Sequence, residues 1–448
     1  MWLKLRNYLQ FEIRFESFRW AKDAVKYMNK TKKKFQSRRQ FLKKAGSYLT
    51  LAGSTLVSPL PALAQSTNLR VSSLKAYPIF INERSEGLLD SPSFANEEDP
   101  ARWRFGGPFE QLPSAIITII KTNEGMTGFG MGAGGSAAVE IIDGHLKHFL
   151  LNTNPLNVEQ LWDQMYTSSV FYGRRGIFAM ALSSVDNALW DIAGKYLGKP
   201  VHELLGGSER DRIEIYQTNG DFLEAKRGGV KNFKRTTYGG PRTPKKVLDQ
   251  FVKSVLEARD QLGPDVRLMT DCVSRDGTVE WAIPFCERLR EANLYFMEEL
   301  LSPDDVFGYA ELANRIGIKG NAWTRIACGE HEYTEHGFKV LVGLGSADIL
   351  QPDITWCGGT TAGRRISTLV ERAGLELIPH RGASSWGFPI ALTSPSCTMA
   401  ESFPEGSAIL DAMSCKVENG YVVAPQKPGF GHSLSEDMVL DFQLTQRI

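Results

Sequence analysis

Two textures of hydrophobic spacing divide this chain, the first rich in short strands and the second alternating strand with helix. From about Leu69 strand-like runs dominate. Ala115-Ile116-Ile117-Thr118-Ile119-Ile120-Lys121, the turn residues Asn123-Glu124-Gly125 and a second run from Met126 to Gly132 predict a hairpin. Between Ile177 and Leu197, residues Phe178, Ala181, Leu182, Val185, Leu189, Ile192 and Tyr196 recur at helical spacing, and Gly198 with Pro200 ends the pattern, which predicts one long buried helix. From Ile213 onward, apolar runs at Val266 to Cys272, Leu294 to Glu299, Arg325 to Glu330, Ala347 to Asp353 and Leu375 to His380 alternate with helical segments. That alternation predicts β/α units around a parallel sheet, with enough units to close a barrel. After Met413 the hairpin texture returns around Asn419-Gly420, and the tail is expected to pack back onto the first domain.

Composition changes the picture at the N-terminus. The chain has 448 residues with 52 basic and 51 acidic side chains, but residues 1–64 hold 14 Lys and Arg against 3 acids, leaving the rest net acidic. An acidic body argues against a nucleic-acid partner, whose phosphates need a basic surface. Ser37-Arg38-Arg39-Gln40-Phe41-Leu42-Lys43 precedes an uncharged stretch from Ala45 to Asn68, and Ala62-Leu63-Ala64 has the small-x-small pattern of a cleavage site. This resembles a twin-arginine export signal, which implies a periplasmic protein. Pro59 and Pro61 break the stretch, so no stable membrane insertion is expected after cleavage. Met28, ahead of Asn29-Lys30-Thr31-Lys32-Lys33-Lys34, reads as the true start. The six cysteines show no C-x-x-C pair and read as small buried hydrophobes. Glycines 128, 130, 132, 134 and 135 follow a hairpin turn and lack the full dinucleotide spacing, so they are expected to be structural.

Each predicted barrel run ends on a reactive side chain: Asp271, then Glu298 and Glu299, then Glu330 with His331, then Asp353, then His380. The C-terminal strand ends of a β/α barrel face one mouth, so these groups are expected to converge there. Three carboxylates from successive strands offer hard oxygen ligands to Mg²⁺ and leave positions open for substrate. An imidazole held by a carboxylate keeps one tautomer and suits acid/base work. The string His331-Glu332-Tyr333-Thr334-Glu335-His336 is no zinc-protease motif, because its histidines are five apart and cannot share a helix face.

The chain resembles the mandelate racemase subgroup of the enolase superfamily, and within it the acid-sugar dehydratases of the L-rhamnonate kind. The resemblance rests on Leu161-Trp162-Asp163-Gln164-Met165-Tyr166 with Phe171-Tyr172-Gly173-Arg174-Arg175-Gly176; Val185-Asp186-Asn187-Ala188-Leu189-Trp190-Asp191; Pro200-Val201-His202-Glu203-Leu204-Leu205-Gly206-Gly207; Pro303-Asp304-Asp305; Gly329-Glu330-His331; and Gln351-Pro352-Asp353 with Trp356-Cys357-Gly358-Gly359. It implies an α/β protein: a modified (β/α)7β barrel of the TIM type with an N-terminal α+β capping domain completed by the C-terminal tail. The expected division is a signal peptide over 1–64, the capping domain over 65–197, the barrel over 198–412 and the tail over 413–448.

By the same resemblance Asp271, Glu298 and Glu330 would bind Mg²⁺, with Glu299 beside them. His380 would be the acid/base, oriented by Asp353. Glu401 would hydrogen-bond the enolate oxygen, for which it must be protonated or share a proton. Lys234 is either a site lysine or a solvated loop residue, and His331 either touches substrate or supports the metal ligand. The implied reaction is dehydration of a sugar acid: proton loss at C2 and loss of the C3 hydroxyl, giving a 2-keto-3-deoxy acid from a homo-oligomeric enzyme. A racemase, epimerase or cycloisomerase on the same scaffold is the alternative, and a non-catalytic exported sugar-acid binder the third reading. The resemblance thins at the substrate end. Residues 82–110 contain no histidine and offer Arg84, Arg102, Trp103, Arg104 and Phe105, and Pro379-His380-Arg381-Gly382-Ala383-Ser384-Ser385-Trp386 carries one residue more than the rhamnonate pattern.

Overall fold

The computed structural model describes residues 67–79, 115–208, 210–317, 323–403 and 408–443, all within the unit Ser58–Ile448. The expected leader, including Met28, Arg38 and Arg39, and the loop residues Arg84, Arg102, Trp103, Arg104 and Phe105 lie outside the described residues.

Apolar alternation produces a three-stranded antiparallel sheet from β1 (Val71–Pro78), β2 (Ile116–Thr122) and β3 (Thr127–Gly132), followed by helices α1 (Gly135–Gly144), α2 (Val158–Ser169) and α3 (Ile177–Leu197). Helix α3 spans the predicted residues and is buried along almost its whole length. It lies directly on β3, and the glycines permit this. A Cβ at Gly130 would stand 2.1 Å from the Ser184 carbonyl oxygen, and one at Gly132 would stand 2.3 Å from that of Met180. The glycine run is therefore a packing surface.

A short helix, α4 (Val201–Leu204), leads into eight parallel strands: β4 (Arg212–Thr218), β5 (Asn232–Thr236), β6 (Arg267–Asp271), β7 (Met297–Glu298), β8 (Ile326–Cys328), β9 (Ile349–Leu350), β10 (Glu376–Leu377) and β11 (Ala400–Ser402). β11 returns to pair with β4, and Leu377 bridges Cys397, so the sheet closes on itself. Between successive strands lie α5 (Phe222–Arg227), α6 (Lys245–Leu262), α7 (Val279–Glu287), α8 (Val306–Arg315), α9 (Thr334–Leu344), α10 (Gly359–Ala373) and α11 (Phe388–Thr393), the (β/α)7β order. Tyr216, Met269, Phe296, Ala327, Ile349, Ile378 and Met399 fill the barrel interior.

The strands are shorter than the apolar runs that announced them. Glu330, Asp353 and His380 lie two or three residues beyond the last paired residue of their strands. The runs stay apolar because the turns leaving each strand are buried as well.

Beyond α12 (Ala408–Met413), the tail serves both halves. β12 (Val417–Glu418) and β13 (Tyr421–Val423) form the expected hairpin, with Asn419 and Gly420 both at positive φ, and β13 pairs with barrel strand β4. From Gly429 the tail lies against the first domain. Asp191 of α3 accepts hydrogen bonds from the Phe430 amide (3.1 Å) and from Lys195 Nζ (2.6 Å), and pairs with His432 Nε2 at 3.3 Å. Helix α13 (Glu436–Asp441) places Glu436 2.6 Å from Lys121, and Gln443 bridges Ile79.

A second polar seam joins the two halves next to the barrel mouth. Asp186 of α3 accepts from the Thr361 amide (2.8 Å) and hydroxyl (2.7 Å), Asn187 accepts from the Thr360 amide (3.0 Å), and Trp162 Nε1 donates to the Gly358 carbonyl (2.6 Å). All are buried, so each bond offsets a desolvation cost that would otherwise be unmet. Among the described residues no helix is long and apolar enough to cross a membrane.

Candidate active site

The mouth is built by backbone that turns sharply out of the strands. Val273, Glu299 and Arg381, none of them glycine, take left-handed φ values of 40°, 45° and 53° just after Asp271, Glu298 and His380. Such conformations cost about 1 to 3 kcal/mol each and persist where surrounding structure demands them.

Asp271 and Glu298 are the last residues of β6 and β7, and with Glu330 each offers an oxygen within 4.8 Å of the others. Burial, reinforced by neighbouring carboxylates, pushes all three up to about 7, although Lys234 opposes this at Asp271 and Glu298 and His380 opposes it at Glu330. Glu298 Oε1 is buried with no hydrogen-bond partner, while its Oε2 accepts from Lys234. An orphaned oxygen in a buried cluster of three hard donors is what a site for a small divalent cation requires. Glu299, Glu330 and His331 form a second close group, but Glu299 Oε1 and His331 Nδ1 satisfy each other at 2.7 Å. The chemistry of the donor set therefore favours Glu298 over Glu299.

His380 faces this cluster. Its Nδ1 pairs with Asp353 Oδ2 at 2.7 Å, and its Nε2 stands 3.5 Å from Glu330 Oε2 and 3.7 Å from Glu401 Oε2. Burial alone would depress the imidazole, but Glu330, Glu401 and Asp353 outweigh it and hold it up at about 9. Asp353 is itself fixed by the Thr355 amide and hydroxyl, each 2.6 Å from Oδ1.

Lys234 is no solvated loop residue. It sits on β5 opposite Met269, so its side chain enters the barrel interior, where it is 1% exposed. Its Nζ donates to Glu298 Oε2 (2.7 Å) and Glu401 Oε1 (2.6 Å) and lies 3.6 Å from Asp271. These carboxylates overcome burial and hold the ammonium charged. Of the two expected states of Glu401, protonated or sharing a proton, the same pairing favours the second. Burial would raise that carboxyl, but Lys234 and His380 hold it down at about 2, with further bonds from Thr218 Oγ1 (2.5 Å) and the Arg381 amide (3.0 Å). The proton nearest Glu401 belongs to Lys234.

His331 opens on the mouth with 29% of its side chain exposed, and Glu299 and Glu330 outweigh burial to push it up to about 10. Three residues that the spacing argument did not assign to the site complete it. Trp356 stands between the His331 and His380 rings at 5.5 and 5.3 Å, and Phe403 meets His380 edge-on at 5.9 Å, with Arg381 beside it. Trp356 and Arg381 stand within stretches already notable in the sequence, but nothing in their spacing distinguishes wall from core.

Similarity to known proteins follows the same outline. Residues 222–438 match the enolase C-terminal domain-like family, and residues 103–206 match the mandelate racemase/muconate lactonizing enzyme N-terminal domain. A protein of Caldivirga maquilingensis provisionally named L-rhamnonate dehydratase is 36% identical over 73% of this chain and 82% of its own length. The L-rhamnonate dehydratase of Saccharopolyspora erythraea is 33% identical over 72% of this chain and 84% of its own. The crystal structure of rhamnonate dehydratase from Gibberella zeae complexed with Mg superposes with a TM-score of 0.73 at 26% identity, covering 84% of this chain and 96% of that one. Strand order, donor cluster and sequence similarity agree: the chain belongs to the mandelate racemase/muconate lactonizing enzyme family, with its enolase-like barrel domain.

Proposed function

We propose that the protein is a Mg²⁺-dependent hydro-lyase that dehydrates a sugar acid, an aldonate of the L-rhamnonate kind, to the 2-keto-3-deoxy acid. The observation that carries this reading is the His380-Asp353 pair at 2.7 Å, whose free Nε2 faces the Asp271, Glu298 and Glu330 cluster. Asp271, Glu298 and Glu330 would hold the cation, which when bound supplies positive charge to the substrate carboxylate and so acidifies the neighbouring C–H. With the charge of Glu330, which most raises the imidazole, offset by the cation it would hold, His380 Nε2 is neutral and takes the C2 proton, while Asp353 keeps the proton of Nδ1 in place and stabilises the imidazolium that forms. The imidazolium then returns a proton to the departing C3 hydroxyl, which leaves as water, and the resulting enol tautomerises to the ketone. Lys234 keeps Glu401 and Glu298 in register across the barrel. His331 and Trp356 form the wall against which the substrate rests.

The isomerase alternative needs a second base facing His380. Lys234, its only candidate in the sequence, has its ammonium engaged by two carboxylates, which favours the one-base dehydratase. The test is incubation of purified protein and Mg²⁺ with a library of acid sugars, assayed for 2-keto acid. Racemised substrate without keto acid would replace the dehydratase with the isomerase. We also propose export by the twin-arginine route, on the support of Arg38-Arg39 before a weakly apolar stretch.

A further inference from the structure

Among the described residues, Arg381 is a cation beside the mouth that the dehydration chemistry leaves unused. It follows His380 directly, in a left-handed conformation, and its amide is tied to Glu401. Its guanidinium lies 5.7 Å from the centre of the Phe403 ring, the ring that also meets the His380 imidazole. Phe403 is 42% exposed, so base, ring and guanidinium border one open space. Arg381 Nε is buried with no hydrogen-bond partner, and among the described residues no carboxylate forms an ion pair with the side chain. Its charge adds to the field that keeps Asp353 ionised, but Asp353 is already taken by His380 and Thr355. A planar fork of N–H donors left open beside a catalytic base matches a carboxylate in shape and charge.

We propose that Arg381 anchors the distal end of the substrate, and that this end carries a second carboxylate, so that the preferred substrates are sugar diacids. The proposal rests on the dehydratase reading and replaces its aldonate with an aldarate, a sugar acid with a carboxylate at each end. Four carbon-carbon bonds separate C2 of a six-carbon acid from C6. A molecule with C2 beside His380 that runs along the Phe403 ring brings C6 toward the guanidinium, because both the imidazole and the guanidinium border that ring. A terminal CH2OH can accept one hydrogen bond from the guanidinium but leaves its charge unpaired, whereas a terminal carboxylate accepts two parallel bonds and pairs the charge.

The probes are L-mannonate and L-mannarate, which differ only at C6; the diacid is symmetric, so either end presents the same C2. The wild-type enzyme with Mg²⁺ should favour the diacid by at least about tenfold in kcat/KM, and its KM for the diacid should rise more steeply with salt than that for the monoacid. Arg381→Met should lower the diacid-to-monoacid ratio by about tenfold or more, and Arg381→Lys should recover part of it. A purely structural arginine would lower both activities together and leave the ratio unmoved, which overturns the proposal. Should Arg381→Met fail to fold, the wild-type ratio and its salt dependence decide. Turnover of L-mannonate without L-mannarate overturns the diacid claim and keeps the dehydratase, whereas 2-keto acid from no acid sugar at all overturns both.

Discussion

At the scale of single residues, the chemistry rests on groups whose burial makes their charge state conditional. Asp271→Asn, Glu298→Gln or Glu330→Gln should each lower kcat by about 10²- to 10³-fold and weaken Mg²⁺ binding, read by steady-state kinetics and calorimetric titration. Glu299→Gln should be milder, because its partner is His331. In metal-free protein the three cluster carboxyls sit at about 7, above the unfolded value near 4. Folded-state values raised in this way favour the protonated native state. Metal-free stability should therefore fall as pH rises from about 4 through about 7, while Mg²⁺ affinity rises over the same window as protons leave the ligands. Melting curves at several pH values, with chelator and with saturating Mg²⁺, check both signs. His380→Asn should abolish dehydration and also C2 hydrogen exchange with deuterated solvent, and Asp353→Asn should lower kcat by about 10²-fold with KM little changed. Persistent exchange in His380→Asn would place the base elsewhere. Much of this site was legible because acidic residues and histidines closing apolar runs are rare unless function needs them. Lys234 was not, since a lysine's burial depends on the register of β5 against β6, which local sequence does not carry.

At the scale of elements, the capping helix α3 holds the loop that delivers Asp353 and Trp356. The seam from Asp186 and Asn187 to Thr360 and Thr361 closes at the first turn of α10, a few residues beyond those two side chains. Asp186→Ala should cost about 1 to 3 kcal/mol, because the buried Thr361 amide and hydroxyl lose their acceptor. It should also lower kcat for both test acids alike, which distinguishes a support from a substrate contact. Gly130→Ala should be more damaging, since its Cβ would overlap the Ser184 carbonyl, and a drop of several degrees in melting temperature is the expected reading. The period of α3 and its Gly198 stop were plain in the sequence because apolar residues recurring at helical spacing and a left-handed cap are local signals. Strand lengths were not. In β7, β9 and β10 only two residues each pair, and the flanking apolar residues are buried by tertiary packing that periodicity cannot separate from pairing.

At the scale of the whole molecule, the cation and the fold are linked. Saturating Mg²⁺ at about 100 times its dissociation constant should add about 2.7 kcal/mol of stability. Thermal shift should show this in wild type and lose most of it in Glu298→Gln. Export is tested by Arg38→Lys combined with Arg39→Lys, which should trap precursor in the cytoplasm; unchanged periplasmic mature protein from this double variant would remove the claim. Strand β4 lends one edge to two partners from the far end of the chain, β13 along Arg212–Glu214 and β11 along Ile215–Gln217. Near the chain's beginning Ile79 bridges Gln443. The ring cannot close until β11 has left the ribosome, and the bridge from Ile79 cannot form until Gln443 has. A nascent chain interrupted before Ala400 is therefore not a smaller enzyme but an open sheet with bare edges, so synthesis itself becomes a completeness check before any catalyst exists.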